Sequence, residues 1–397
     1  MRMSAKDRQA FLKKTFSMEE GFGMSYIRIS IGCSDFSLSE YSCCDTPGIE
    51  HFFLTSEERD YVIPVLKEIL AINPDVKIMG SPWTCPPWMK VKDLDTLTPY
   101  PSWTSGQLNP LFYQDYAEYF VRWVVAFREN GIPIYSVTPQ NEPLNRGNSA
   151  SLYMGWEEQR NFIREALGPA FKKAGITAKI YAYDHNYDYS REEEQNRYPL
   201  KIYADPDAAQ YLAGAAYHNY GGNKSELLNV LSEAPGKELV FTETSIGEWN
   251  DGHNLAKRLP ADMREVGLGT VNNGCRGVIV WNLLLDSEKG PNRPGGCRTC
   301  YGAVDVDKSN YKSLTYNSHY FVLAHLSLAA RPGAHRIQQN GGLPSGVTMG
   351  TFSNPDGSVG AVVLNENDSP FSLSLTADKG KYVNCTIPAK STVSLRW

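Results

Sequence analysis

The chain contains 397 residues with a net charge of -5 at pH 7, and 12% of its residues are aromatic. This length fits one α/β barrel of roughly 200 to 250 residues with a smaller appended domain better than three domains of average size. The charge is mild and the basic residues are scattered, which argues against a nucleic-acid partner or an anionic membrane surface. No apolar run is long enough for a membrane span, and the charged segment 1–14 lacks the apolar stretch of a signal peptide. The compartment therefore stays open, and a neutral substrate is expected.

Apolar strand-like segments alternate with helical segments along most of the chain. The predicted strands are residues 24–32, 76–83, 135–142, 178–185, 214–220, 238–245 and 277–286. The predicted helices are residues 4–16, 56–72, 110–129, 157–174, 206–212, 225–232 and 254–272. This alternation indicates a parallel sheet with helices outside it, of the (β/α)8 TIM-barrel type. The strands number one fewer than a closed barrel needs, and because the chain opens on a helix, the first strand is expected to be the missing one. A doubly wound open sheet is the alternative, but no Gly-rich phosphate loop follows the first strand.

The sequence pattern changes after a predicted helix at residues 316–330. Residues 348–352, 359–365, 371–376 and 392–397 alternate or run apolar, and a strong turn sequence at residues 354–357 separates the first two of these segments. We therefore expect a TIM-barrel domain at residues 1–330 and a small antiparallel β-sandwich domain at residues 331–397.

Neither the cysteines nor the adjacent pair Asp184 and His185 forms a metal-binding pattern. Cys297 and Cys300 make the only C-x-x-C spacing among the 8 cysteines, and a zinc site would need a second pair. Structural or free thiols are favoured, with a local disulfide between Cys297 and Cys300 as the alternative. No serine lies in a G-x-S-x-G elbow that could complete a Ser-His-Asp relay with Asp184 and His185. No metal is expected.

Polar or aromatic residues end or follow almost every predicted strand. In a parallel barrel these strand ends meet on one face, where active sites are built. The residues are Arg28, Asp35, Trp83, Asn141, Glu142, Asp184, His185, His218, Tyr220, Glu243, Trp281 and Asn282.

Glu142 and Glu243 are the candidates for acid-base chemistry on this face. Cleavage of a glycosidic bond needs one carboxyl group to protonate the leaving oxygen and another to attack or to activate water. Asn141 directly precedes Glu142 and is placed to hold a substrate hydroxyl. The alternative is that each glutamate pairs with an arginine such as Arg28 and has no chemical role. The pair of glutamates in an aromatic setting favours glycoside hydrolysis.

Four aromatic or imidazole side chains could line a sugar site. His218 and Tyr220 could bond the nucleophile and the sugar, and a purely structural hydrogen-bonding role is an equally open alternative. Trp83 and Trp281 could be stacking platforms, although a tryptophan in an apolar strand belongs more often to the core.

Several motifs together resemble those of glycoside hydrolase family 30, and most closely its glucosylceramidase and β-1,6-glucanase branches. They are the segments Tyr-Ile-Arg at 26–28, Cys-Ser-Asp-Phe-Ser at 33–37, Ser-Pro-Trp-Thr-Cys-Pro-Pro-Trp-Met-Lys at 81–90, Pro-Gln-Asn-Glu-Pro at 139–143, Phe-Thr-Glu-Thr at 241–244, Trp-Asn-Leu at 281–283 and Gly-Pro-Asn at 290–292. The resemblance runs from about residue 16 to the C-terminus. The order and spacing of these motifs, taken together, are far more specific than any one motif.

The resemblance implies a (β/α)8 barrel with a side β-sandwich, a retaining mechanism and no cofactor. It implies that Glu142 is the acid/base and Glu243 the nucleophile, with the two carboxyl groups roughly 5 to 5.5 Å apart. The sugar subsite would be lined by Arg28, Asp35, Trp83, Asn141, Tyr220 and Trp281, with His218 nearby.

The first functional hypothesis is a retaining β-glycosidase acting on β-glucosides, with a carbohydrate or glycolipid substrate of the glucosylceramide type. Endo-acting cleavage of β-1,6-glucan is the alternative, as is a carbohydrate-binding member without turnover. The resembled family begins with sandwich strands and a first barrel strand that carries Gly-Phe-Gly-Gly, and this chain starts after them. We therefore expect a fragment with exposed sheet edges and reduced stability, whose native relatives are secreted or periplasmic. The oligomeric state is not predicted.

Overall fold

The computed structural model describes residues 2–377, 380 and 382–397. The larger part of the chain forms a parallel sheet whose seven strands pair in chain order. These strands are β1 (Tyr26–Ile31), β2 (Lys77–Pro82), β3 (Ser136–Val137), β4 (Lys179–Asn186), β5 (Leu212–His218), β6 (Glu238–Glu243) and β7 (Cys275–Val278). Consecutive parallel strands joined by helices are the arrangement of a (β/α)8 barrel, so the predicted fold class is confirmed.

The sheet ends at β1 and β7, and no strand in the described part of the chain pairs with their outer edges. The two end strands nevertheless approach each other, because a Cβ atom placed on Gly277 would lie 2.5 Å from Cδ1 of Tyr26. The Tyr26 hydroxyl reaches across the interior to Ser136 Oγ of β3, at 2.9 Å. The Tyr26 ring therefore fills space between the two ends of the sheet.

Helices cover the outside of the sheet. They are α1 (Ala5–Phe16), α2 (Ile63–Ile72), α3 (Tyr113–Glu129), α4 (Trp156–Phe162), α5 (Gly168–Lys173), α6 (Tyr198–Tyr203), α7 (Pro206–Ala209), α8 (Ser225–Glu233), α9 (Leu255–Asp262), α10 (Leu268–Val271) and α11 (Ser318–Ala329). In α3 the buried residues Tyr116, Phe120, Trp123 and Phe127 recur at helical spacing and form the stripe that packs inward. Among the described residues, no helix is both long and apolar enough to cross a bilayer.

The barrel interior has an apolar layer beneath a polar one. Met79, Tyr181, Ala216 and Val240, from four different strands, form the apolar layer and are almost fully buried. Successive side chains of a strand alternate between its faces, so the residue two positions further along points into the same interior. On β2, β5 and β6 that residue is Ser81, His218 and Thr242 respectively. The strand period therefore delivers polar side chains to the carboxyl end of the barrel.

Strand β4 reaches this polar layer by a different route. Its pairing with β5 shifts register between Tyr183 and His185, which are matched with the consecutive residues Ala216 and Tyr217. Asp184 is the extra residue, with a positive φ of 78°. A bulge of this kind reorients a side chain next to an active site, and here Asp184 meets the polar side chains of the neighbouring strands.

Three predicted elements are wrong in their extent. The segment 135–142 was expected to be one strand, but β3 covers only Ser136–Val137. The segment 277–286 was expected to be one strand, but β7 ends at Val278 and a separate strand, β8 (Leu284–Asp286), pairs with β9 (Val304–Val306). One apolar run thus serves two different sheets, and hydrophobicity alone does not mark the break. The segment 206–212 was expected to be helical, but α7 stops at Ala209 and Leu212 already begins β5.

The C-terminal part is antiparallel, as predicted. It follows the short strand β10 (Leu314–Tyr316) and comprises β11 (His335–Ile337), β12 (Val347–Ser353), β13 (Val359–Asn365), β14 (Phe371–Thr376), β15 (Tyr382–Ile387) and β16 (Ser391–Arg396). Strands β11, β12, β13 and β16 form one sheet, and β14 pairs with β15 in a second. The two sheets enclose a small core of their own that includes Met349, Val363 and Ile387.

A buried lysine fastens two long loops at the carboxyl end of the barrel. Lys90 is 2% exposed, and its ammonium donates to the carbonyl oxygens of Ser102, Ser105 and Ser151 at 2.7 to 2.8 Å. Burial lowers the pKa of Lys90 to about 8. Three carbonyl acceptors satisfy all three donors of the ammonium group. The loops that follow β2 and β3 are therefore tied to one point beside the polar layer.

Candidate active site

Arg28 of β1 lies at the centre of the polar layer. Its side chain is fully buried and donates to Glu243 Oε2 at 2.8 Å, Asp184 Oδ2 at 2.7 Å and Asn141 Oδ1 at 2.6 Å. Its Nε donates to Ser81 Oγ at 3.0 Å. Guanidinium groups offer donors in a fixed planar fork, so these contacts set the directions of the neighbouring side chains. One arginine therefore holds residues from four other strands or strand ends in fixed positions.

Asp184 is the second centre, although the sequence analysis places it on this face without assigning it a role. Besides Arg28, it accepts hydrogen bonds from Thr138 Oγ1 at 2.7 Å, Thr242 Oγ1 at 2.6 Å and His218 Nε2 at 3.0 Å. Burial raises the pKa of Asp184, but the charge of Arg28 and the contact with His218 outweigh burial and hold that pKa below its ordinary value. Asp184 is therefore a permanent buried carboxylate that fixes the cations around it.

Glu142 follows β3 and has a positive φ of 47°. Its backbone N–H donates to the Asp184 carbonyl at 3.0 Å, and its Oε2 accepts from the side-chain amides of Asn145 at 2.8 Å and Asn148 at 3.3 Å. The sequence reasoning missed both asparagines, which stand three and six residues after Glu142 in a loop rich in polar residues. His218 Nδ1 lies 3.6 Å from Glu142 Oε1 and has no hydrogen bond within the described residues.

Glu243 ends β6 opposite Glu142. Its Oε2 accepts from Arg28, and its Oε1 accepts from the Tyr220 hydroxyl at 3.1 Å. That hydroxyl also contacts Ser245 Oγ at 2.8 Å. One carboxylate oxygen of Glu142, one of Glu243 and a ring nitrogen of His218 all lie within 4.8 Å of one another. The two carboxyl groups therefore face each other across a narrow gap.

The charges of the two glutamates are coupled. Burial raises the pKa of Glu243, and the charge of Glu142 adds to this, against the lowering by His218 and Arg28. Burial also raises the pKa of Glu142, but His218, His185 and Asn145 outweigh it and lower that pKa to about 2. Each negative charge disfavours the other, so the pair retains one proton more readily than two isolated carboxyl groups would.

His218 supplies a positive charge between these acids. Burial lowers its pKa, but the charge of Glu243 and the contacts with Asp184 and Glu142 outweigh burial and raise that pKa to about 9. The imidazole is therefore protonated at neutral pH. His185, in contrast, has a pKa that burial lowers to about 4, so it is neutral there.

The remaining predicted residues lie at the edge of this network. Trp83 is 1% exposed and stacks on Trp281 with ring centroids 4.9 Å apart, so Trp83 belongs to the core and Trp281 is the partly buried partner. Asp35 is buried, and its Oδ1 has no hydrogen bond within the described residues. Burial and the charges of Glu243 and Glu142 raise the pKa of Asp35 well above its usual range. The structure thus brings Arg28 and Asn141 together with the carboxyl pair. Trp83 is buried beneath Trp281.

The paired cysteines differ from the favoured expectation. Cys297 and Cys300 form a disulfide, and the other six cysteines are free thiols. The C-x-x-C spacing permits this pairing but does not require it.

A barrel whose strand ends carry two facing glutamates, backed by an arginine, is the architecture of a glycoside hydrolase. The chain belongs to glycosyl hydrolase family 30. Its residues 1–327 match that family's TIM-barrel domain, and residues 333–395 match the family's beta sandwich domain.

Relatives and solved structures agree with this assignment. The chain is similar to an endo-1,6-beta-D-glucanase of Trichoderma harzianum, at 29% identity over 94% of this chain and 76% of that protein. It is also similar to a putative glucosylceramidase of Caenorhabditis elegans, at 28% identity over 93% of this chain and 72% of that protein. The solved structure of an endo-beta1,6-glucanase matches 100% of this chain and 88% of its own, at 61% identity and a TM-score of 0.98. The chain is therefore a glycoside hydrolase with a carbohydrate substrate.

Proposed function

We propose that this enzyme is a retaining endo-β-1,6-glucanase. The observation that carries the proposal is the 61% identity, over the whole chain, with an endo-beta1,6-glucanase of solved structure. Sequence motifs alone favoured glucosylceramide-type substrates, and this similarity reverses the order of the two hypotheses. Glucosylceramide is the second candidate, on the 28% identity with a putative glucosylceramidase.

The separation of the carboxyl groups supports retention of anomeric configuration. In retaining glycosidases the two carboxyl groups lie about 5 to 5.5 Å apart, whereas inverting enzymes hold them about 6.5 to 9.5 Å apart to admit a water molecule. Carboxylate oxygens of Glu142 and Glu243 within 4.8 Å of each other fit the first arrangement.

Glu243 is the proposed nucleophile. Arg28 donates directly to Glu243 Oε2 at 2.8 Å and stabilises its ionised form, while the Tyr220 hydroxyl fixes Oε1. In the unliganded site the pKa shifts of the two glutamates favour the proton on Glu243, opposite to these roles. The proposed mechanism therefore requires substrate binding to move the proton to Glu142, where the glycosidic oxygen accepts it as a hydrogen bond, while Arg28 and Tyr220 hold the Glu243 anion. Glu243 then attacks the anomeric carbon while Glu142 protonates the departing glycosidic oxygen.

Glu142 is the proposed acid and, in the second step, the base. Its side chain is oriented by Asn145 and Asn148, which are neutral donors and permit both protonation states. Once Glu243 is glycosylated its charge is gone, and the positive charge of His218 then favours ionised Glu142. Ionised Glu142 deprotonates a water molecule, which releases the sugar from Glu243.

Product analysis on β-1,6-glucan, glucosylceramide, β-1,4-xylan and an aryl β-glucoside tests the proposal. We expect β-1,6-glucan to yield a ladder of oligosaccharides early in the reaction and the first product to have the β configuration by proton NMR. Glu243→Gln should lower turnover by at least about a hundredfold. Glu142→Ala should regain activity on the aryl glucoside with azide and release a β-glycosyl azide, because the small anion enters the vacated space.

The outcomes separate the candidates. Cleavage of glucosylceramide without cleavage of β-1,6-glucan would support the second candidate. An α-configured first product would contradict the retaining mechanism. Binding of glucan without turnover in the unmodified chain would identify a non-catalytic member of the family.

A further inference from the structure

Residues 287–301 form a loop, here named the disulfide loop, that runs beside the site from the end of β8 and includes the two-residue strand Cys300–Tyr301. The disulfide between Cys297 and Cys300 lies near its end. The catalytic steps proposed above use no residue of this loop.

The disulfide packs against the aromatic floor of the site. Cys297 and Cys300 belong to one apolar cluster with Phe36, Leu285 and Trp281. Trp281 stacks on Trp83, and the guanidinium of Arg28 lies 4.8 Å from the centre of the Trp83 ring. A continuous set of contacts therefore connects the disulfide with the arginine that holds Glu243.

The start of the disulfide-bonded ring is fixed to the segment that carries Asp35. A Cβ atom at Gly296, directly before Cys297, would lie 2.1 Å from the Asp35 carbonyl oxygen, so the two backbones are in direct contact. Nearby, the buried side chain of Arg293 donates to the Ser34 carbonyl at 3.2 Å and to Glu40 at 2.7 Å. This side of the loop is anchored on the loop after β1.

The other end of the ring is fixed to the segment that follows Glu243. Cys300 pairs with Gly247 in a short antiparallel bridge, and the Thr299 carbonyl accepts from the Glu248 N–H at 3.0 Å. The four-residue segment 297–300 thus connects the segment after β1 with the segment after β6. The first segment carries Asp35 of the expected sugar subsite, and the second directly follows Glu243.

We propose that the Cys297–Cys300 disulfide is a positioning element of the sugar subsite, and that its reduction weakens sugar binding. The inference rests on the proposed function. A disulfide across so few residues removes little chain entropy from the unfolded state, so its effect falls on the site rather than on global stability. Reduction by a dithiol transfers two electrons and two protons to the sulfur atoms, gives two thiols and leaves the reagent as a cyclic disulfide. The segment 297–300 packs against Phe36 and Trp281. After reduction it is no longer held closed by a covalent bond, so the positions of these two side chains are less restricted.

The test compares oxidised enzyme, dithiothreitol-reduced enzyme and the double variant Cys297→Ser/Cys300→Ser. KM and kcat on an aryl β-glucoside and the Kd of a glucose-like iminosugar are measured, and alkylation followed by mass spectrometry counts the thiols. We expect about a tenfold rise in KM and Kd, the effect of one loosened loop, with kcat changed by less than about twofold. Reoxidation should restore both constants in the unmodified enzyme and leave the double variant unchanged.

Cys385→Ser is the matched control, because Cys385 is a partly exposed free thiol on β15 in the sandwich. It should respond to dithiothreitol as the unmodified enzyme does. Verified reduction with unchanged KM and Kd would overturn the proposal, and so would a fall in melting temperature without a change in Kd. If the oxidised enzyme cleaves neither the aryl β-glucoside nor β-1,6-glucan, the proposed function fails, and the iminosugar Kd still decides the role of the disulfide.

Discussion

Replacing Asp184 with asparagine removes the charge at the centre of the buried network while keeping the shape of the side chain. Asp184 accepts two hydrogen bonds on each oxygen, from Arg28 and Thr138 on one and from His218 and Thr242 on the other. An amide nitrogen cannot accept, so in either orientation two donors, one of them cationic, lose their acceptor. We expect Asp184→Asn to lower the free energy of unfolding by about 3 to 5 kcal/mol, the range for breaking a buried charge pair.

The same variant should change how stability depends on pH. The native pKa of His218 is raised to about 9, so its contribution is complete below the unfolded value of about 6.5 and is lost as the pH rises through 9. The contribution amounts to about 3 kcal/mol in the unmodified enzyme. Without the Asp184 charge the pKa of His218 falls, and the loss of stability between pH 6.5 and 9 becomes smaller.

Urea unfolding at pH 6, 7.5 and 9, followed by tryptophan fluorescence and linear extrapolation, measures both effects. Thr242→Val is the matched control, because it removes one neutral donor from the same carboxylate and leaves both charges in place. A destabilisation by Asp184→Asn below about 1 kcal/mol would refute the reasoning. So would a pH dependence identical to that of the unmodified enzyme.

Two further substitutions test separate parts of the site. Tyr220→Phe removes the hydroxyl that donates to Glu243 at 3.1 Å, while the 44% exposed ring stays in place. We expect kcat/KM to fall about tenfold with little change in melting temperature. An unchanged kcat/KM would contradict a role for this hydrogen bond. Lys90→Met leaves one buried and two partly buried carbonyl groups without a donor and should lower the free energy of unfolding by about 3 kcal/mol. Urea unfolding checks this second expectation, and a neutral result would show that water replaces the ammonium.

The sequence was sufficient to place the proposed catalytic side chains on one face of the barrel. Glu142, Glu243 and Arg28 each follow or lie in an apolar run, and the parallel arrangement alone brings such positions to one face. Asp184 could not be assigned in this way, because regular alternation along β4 would direct Tyr183 into the interior. The bulge instead turns Asp184 into the interior and Tyr183 away from it. A bulge cannot be recognised from the hydrophobic periodicity of the sequence.

The aromatic residues show a second limit. Trp83 and Trp281 have the same residue type and similar predicted positions, yet one is buried beneath the other. Which ring faces the cleft depends on packing between distant segments, and local sequence does not encode it. The pairing of Cys297 with Cys300 was likewise open, because a C-x-x-C spacing permits a disulfide but does not require one.

The backbone of Glu142 is held in a left-handed conformation that is unfavourable for a glutamate. A φ of 47° is unfavourable for a glutamate by roughly 1 kcal/mol or more, and glycine would adopt it without this cost. The proposed acid/base position is thus a site where the best residue for folding differs from the residue found there. Selection for thermal tolerance alone would drive position 142 toward glycine or asparagine. In a comparison of heat-adapted variants, a change at this position would be a sign of relaxed selection on turnover.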